Sequence, residues 1–135
     1  MPLITWGPQI EIGIKVIDKQ HRRLVDLINQ LDEALKEDRG AEVMGEIFAE
    51  LVDYTHTHFR YEEGLLSEHD YEEYSQHCRE HLIFTDQIEI YRDRFEAGMY
   101  SVSGTVMEYL RGWLLTHITM SDRAYSQTLK DGGVT

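Results

Sequence analysis

The stretch MGEIFAELVDYTHTHFRYEEGLL, residues 44–66, places Met44, Phe48, Leu51 and Thr55 at steps of three or four residues and continues the same stripe through His58, Glu62 and Leu65. Such steps mark the face that an α-helix turns toward a core. The stripe does not stop where it becomes polar. An imidazole and a carboxylate one turn apart follow three large apolar side chains into the interior, where each costs several kcal/mol unless a partner satisfies it.

Three other segments repeat the pattern. The first reads His21, Leu24, Ile28, Leu31, Leu35. A third reads Tyr74, His77, His81, Phe84, Ile88, Tyr91, Phe95, and a fourth reads Val102, Val106, Leu110, Trp113, His117, Met120. The spacing predicts helices from Asp18, a candidate N-cap, to Glu37, with Gly40 as the stop, and from Ala41 to Leu66. It predicts two more, from Asp70 to Gly98 and from Ser101 or Ser103 to before Gly132. Asp70 and Glu73 have the spacing of a capping box. Both prolines fall before residue 9, and the alternating IEIGIKVI (residues 10–17) reads as an extended arm lying along the body. Short connections favour antiparallel neighbours, so the expected fold is all-α, an up-down-up-down four-helix bundle over 18–130 with the arm at 1–17.

The chain's 135 residues suit one domain that buries roughly 68% of its unfolded surface. A net charge of −12 disfavours nucleic acid and anionic membranes as partners, because both select a basic face. No apolar run approaches the ~20 residues of a membrane span, and the first residues lack the basic start and apolar core of a signal peptide. The single cysteine, Cys78, cannot form an internal disulfide and lies off the stripes, so a cytoplasmic protein is expected.

Five of the seven histidines lie on the stripes, with Glu62; His56 and His69 do not. In a bundle of alternating direction, the starts of helices one and three and the ends of helices two and four share one end. His21, His58, Glu62, His77, His81 and His117 therefore converge in one layer. A single histidine on an apolar stripe is ordinarily a satisfied core residue. Five at one level are different: neutral rings cannot easily satisfy one another, and charged rings repel in a low dielectric. A metal takes the lone pair of each ring. The donors exceed the four of a structural zinc site, and imidazole with carboxylate suits two irons.

With VIDKQH ending at His21, HFRYEE from His58, HCREH from His77 to His81 and WLLTHITMSD from Trp113 to Asp122, the chain resembles the hemerythrins over essentially its whole length. The resemblance implies a dinuclear iron centre in which His77, His81 and His117 hold one iron and His21 and His58 the other. Glu62 and Asp122 bridge the pair beside an oxo or hydroxo group, and the His21/His58 iron keeps an open position for dioxygen. The resemblance also implies an apolar oxygen pocket of Leu24, Phe59, Trp113, Leu114 and Ile118. Asp122 is not selected by periodicity. It stands five residues after His117, about 140° away on an ideal helix, so a bridging role requires helix four to be distorted between the two. Asp18 has two readings, a helix cap or a group that orients a ligand. Glu63, about 100° from Glu62, reads as solvated.

Reversible dioxygen binding, for carriage, storage or delivery, is the expected function. Oxygen or redox sensing for a signalling partner is a second reading. A di-iron enzyme reducing peroxide or nitric oxide is a third, weakened by the absence of Glu-x-x-His pairs among the ligands and of a stripe side chain suited to proton delivery. A monomer is expected, because the stripes take up most large apolar residues.

Overall fold

The computed structural model describes residues 3–135; the first two residues of the expected arm lie outside this range. Helix α1 spans Lys15–Lys36. Helix α2, residues 40–68, runs continuously through α-helical Gly40–Tyr54, a π-helical turn Thr55–Phe59 and α-helical Arg60–Glu68. Helix α3 spans Tyr74–Glu96. Helix α4, residues 102–131, joins α-helical Val102–Trp113 to a π-helical segment Leu114–Asp122 and α-helical Arg123–Asp131. The four alternate in direction, and α1 and α3 each pack against both α2 and α4. The up-down-up-down bundle is the architecture the stripes predict; the N-terminal arm ends at Ile14 rather than at residue 17, because residues 15–17 open α1, and residues 8–10 form a turn rather than an extended run.

Each helix ends in the same 6→1 backbone bond: Arg39 to Ala34, Tyr71 to Leu66, Met99 to Arg94 and Val134 to Leu129. This closure puts one residue in the left-handed region, which glycine adopts at least cost. Gly98 and Gly133 serve α3 and α4, while Asp38 and Asp70 take the strain at α1 and α2. Gly40 is therefore not the stop of α1 but the first residue of α2. Asp70 belongs to the end of α2 and not to a capping box, and α3 starts at Tyr74 without a side-chain cap.

Asp18 is not an N-cap either. Helix α1 begins three residues earlier, after Ile14, and the Asp18 carboxylate accepts the backbone N–H groups of Ile12 (2.9 Å) and Gly13 (3.0 Å). It holds the arm where the arm meets the helix. Farther out, the Asn29 side chain accepts the Ile4 N–H and donates to the Ile4 carbonyl, both at 2.9 Å. Asn29→Ala is expected to free this segment at a cost of about 1–2 kcal/mol, with faster amide exchange at Ile4. Unchanged exchange there would show that the arm is held by its apolar contacts alone.

Two apolar clusters form. The larger contains Leu24, Ile28, Leu31, Phe48, Leu51, Phe84, Ile88, Val106 and Leu110. The smaller joins Ile12, Ile14 and Ile17 to Leu66, Tyr125 and Leu129. Ile12 and Ile14 of the arm, with Ile17 from the first turn of α1, thus close the end of the bundle, each buried side chain contributing about 1.5–3 kcal/mol. The α2 stripe passes from Glu62 to Leu66 rather than Leu65, which is only partly covered, because Leu66 sits one full turn on and beneath these isoleucines.

Candidate metal centre

His21, His58, Glu62, His77, His81, His117 and Asp122 are all at most 3% exposed. Regular α-helices supply His21 from α1 and His77 with His81, one turn apart, from α3. The other four come from the two helices that contain π turns. In α4 the π segment begins at Leu114 and ends at Asp122. Its i→i+5 bonding stacks residues five apart, so Asp122 lies over His117. This is the distortion that a bridging Asp122 requires. The same widening carries Met120 off the stripe, where it is 67% exposed. The expected continuation from His117 to Met120 is thus replaced by His117, Ile118, Asp122, Tyr125 and Leu129.

The donors sort themselves oxygen by oxygen. Glu62 Oε1 lies 2.5 Å from His77 Nε2 and 2.9 Å from His81 Nε2, while Glu62 Oε2 lies 3.0 Å from His58 Nε2 and 3.9 Å from His21 Nε2. Asp122 Oδ1 lies 2.9 Å from His77 Nε2 and 3.0 Å from His117 Nε2, and Asp122 Oδ2 lies 3.0 Å from His21 Nε2. Each carboxylate therefore turns one oxygen to a three-histidine set and the other to a two-histidine set. Within each set, one donor atom per residue lies within 4.8 Å of all the others: Glu62, His77, His81, His117, Asp122 in one, His21, His58, Glu62, Asp122 in the other.

The outer ring nitrogens fix the tautomers. His58 Nδ1–H donates to Gln20 Oε1 (2.6 Å), His81 Nδ1–H to Glu63 Oε2 (2.7 Å) and His117 Nδ1–H to Glu80 Oε1 (2.9 Å), which also accepts from Ser121 Oγ (2.8 Å). With Nδ1 as donor, Nε2 presents its lone pair inward, against carboxylate oxygens that carry lone pairs of their own. A cation, either a proton or a metal ion, must stand between them. His21, His81 and His117 Nε2 and both Asp122 oxygens have no hydrogen-bond partner among the described residues. A buried donor set of this chemistry fits a pair of metal ions.

Protons occupy the same positions when they can. Burial pushes His77 down, but the carboxylates of Asp122 and Glu62, 2.9 and 2.5 Å from its Nε2, outweigh it and raise the ring to about 10. His81 is raised against burial by Glu62 and Glu63. For His58 burial prevails over Glu62 and the ring is lowered. Burial would raise Glu62, yet the charge of His58 and the close approach of the His58, His77 and His81 rings hold it well below the usual carboxylate range. Asp122 is held low by His117 and His21 against burial and the charge of Glu62.

Leu24, Phe59, Leu114 and Ile118 are buried beside this layer, with Trp113 half-buried. Phe59 stacks on His81 (3.8 Å, 3°) and Trp113 on His117 (4.1 Å, 13°), so both aromatic members touch the three-histidine set. Glu63, read from the sequence as solvated, is bonded to His81. Sequence reasoning missed Gln20 and Glu80, which reach rings on other helices and leave no mark in the periodicity of their own. It also missed two tyrosines. Tyr125 donates its O–H to Glu62 Oε2 (2.9 Å) from three residues beyond Asp122, and Tyr54, one turn before His58, stacks on that ring at 5.1 Å and 21°. Burial, then the charges of Asp122 and Glu62, push the Tyr54 phenol well above its ordinary value.

Residues 12–129 match the family described as the hemerythrin HHE cation binding domain. The chain belongs to the hemerythrin family. Over 130 residues it is 40% identical to a bacteriohemerythrin of Stenotrophomonas maltophilia and 35% identical to one of Pseudomonas aeruginosa, in each case covering 96% of this chain and 84% of the relative. A wild-type hemerythrin crystal structure superposes with a TM-score of 0.83 at 27% identity, over 94% of this chain and 98% of that one. Among the described residues, no helix is long and apolar enough to cross a membrane.

Proposed function

We propose that the chain binds dioxygen reversibly at a two-iron centre. His77, His81 and His117, with Glu62 and Asp122, would hold one iron; His21 and His58, with the same two carboxylates, would hold the other. The observation that carries this reading is the unequal sharing, five residues on one side against four on the other, around two carboxylates common to both. Iron in nitrogen and oxygen sites accepts about six ligands, so the two-histidine side has one more position to spare than the three-histidine side, and that is where an external ligand would fit. When bound, the two irons supply two electrons and a free coordination position for dioxygen.

The chain's own groups set what happens around it. Nδ1–H bonds to Gln20, Glu63 and Glu80 hold the rings in place. Leu24, Leu114 and Ile118 exclude water from the layer, which slows proton-driven loss of the ligand and favours release of dioxygen unchanged. Five imidazoles against two carboxylates also donate less negative charge than the carboxylate-rich sites of oxygen-activating bundles.

The test is an anaerobic reduction of the iron-loaded chain, followed by alternating oxygen and argon. A visible charge-transfer band that rises with oxygen and disappears on purging, through several cycles, is the expected result. A single irreversible change to the oxidised spectrum would overturn the carrier reading in favour of oxidation chemistry.

A further inference from the structure

Tyr54 is 1% exposed, and its hydroxyl is buried without a hydrogen-bond partner among the described residues. A phenol left so forfeits the hydrogen bond it would make in water, so it is retained in a core at a cost. Its position is specific. The ring lies nearly parallel to His58 and edge-on to Phe59 (6.0 Å, 68°), on the side of the layer that carries two histidines rather than three. Tyr125, the other buried phenol of the layer, is already committed to Glu62. The indole N–H of Trp113 also lacks a partner, but its ring is stacked on His117, in the three-histidine set.

We propose that Tyr54 is the hydrogen-bond donor to the external ligand seated beside His58. It selects ligands that present a lone pair on their outer atom, such as azide or a hydroperoxide, over ligands such as carbon monoxide that present none of comparable basicity. This inference rests on the di-iron reading and supplies the donor that the stripes of the sequence lack. Tyr54→Phe removes one oxygen and keeps the ring stacked on His58.

The experiment uses the full chain loaded with iron and oxidised, with azide as the probe. Hydrogen bonds to charged acceptors account for a tenfold or larger change in binding, so azide affinity is expected to fall by about tenfold or more in Tyr54→Phe, with iron content unchanged. The antisymmetric stretch of bound azide is expected to shift between H2O and D2O in the natural chain and to stay in place in the variant. The metal-free variant is expected to melt no lower than the natural chain, because the hydroxyl it lacks has no partner to lose. Equal azide affinity and an equal isotope shift would overturn the role of Tyr54 and leave the two-iron reading standing. A lower melting temperature without metal would assign the hydroxyl a structural bond and overturn it as well. A natural chain that takes up neither two irons nor azide would overturn both readings together.

Discussion

Glu62→Ala is expected to abolish paired metal binding and to destabilise the metal-free chain by about 3–5 kcal/mol, the cost of removing one partner from a buried charged cluster. Among the described residues, Glu62 is the only side chain whose two oxygens face four of the five histidines, His77 and His81 on one side and His58 and His21 on the other. Its loss leaves the buried rings with Asp122 as the one carboxylate on their inner side among the described residues, Glu63 and Glu80 meeting only the outer nitrogens of His81 and His117, and takes away the acceptor of Tyr125. Iron per chain, measured with chemical denaturation of the metal-free protein, reads both effects. Glu62→Gln separates them: it keeps the volume but offers one oxygen instead of two, and is expected to bind at most one iron with a smaller loss of stability. Two tightly held irons in Glu62→Ala would show that the carboxylate does not join the sites.

The second large effect is the response to pH, which is expected to differ with and without metal. His77 titrates near 6.5 in an unfolded chain and near 10 in the folded, metal-free protein. A raised value contributes stability that is complete below about pH 6.5 and is lost as pH climbs toward 10, on the order of 5 kcal/mol at ~1.4 kcal/mol per unit. His81 acts in the same direction. Glu62 and Asp122, held low, contribute above the ordinary carboxylate range and lose that contribution as pH falls through it. A metal ion needs the rings without those protons, so loading releases protons, and its stabilising effect grows with pH. The gap in melting temperature between loaded and metal-free chain is therefore expected to widen from pH 6.5 to 9.5, with protons released on anaerobic addition of ferrous iron to weakly buffered protein. A gap independent of pH would mean that the rings carry no displaceable protons.

The bundle was legible because all four stripes obey the helical period along most of their length, and the polar members of the layer ride on those stripes. His21, His58, Glu62, His77, His81 and His117 could be picked out by position alone. Asp122 could not, since its inward direction depends on a π-helical segment, and Met120 was placed inside by the same regular period. Only the likeness to a family pointed to Asp122. The helix ends were misread at Asp18 and Asp70 because the short polar side chains of aspartates serve caps, turns and left-handed closures alike, and at Gly40 because Asp38, not the glycine, takes the left-handed position. Gln20, Glu63 and Glu80 were not legible as ring partners, because each of those bonds joins two different helices.

The two π turns have a consequence for anyone who would transplant this centre. Both lie at the level of the metal layer, one in α2 and one in α4, so the backbone there is wider than the ideal helix from which designed bundles are drawn. Copying the seven side chains onto straight helices would aim Asp122 past its target however well the rotamers were chosen. The surplus residue in each helix is as much a component of the centre as any imidazole, and a minimal scaffold for it has to be specified in backbone geometry before a single ligand is placed.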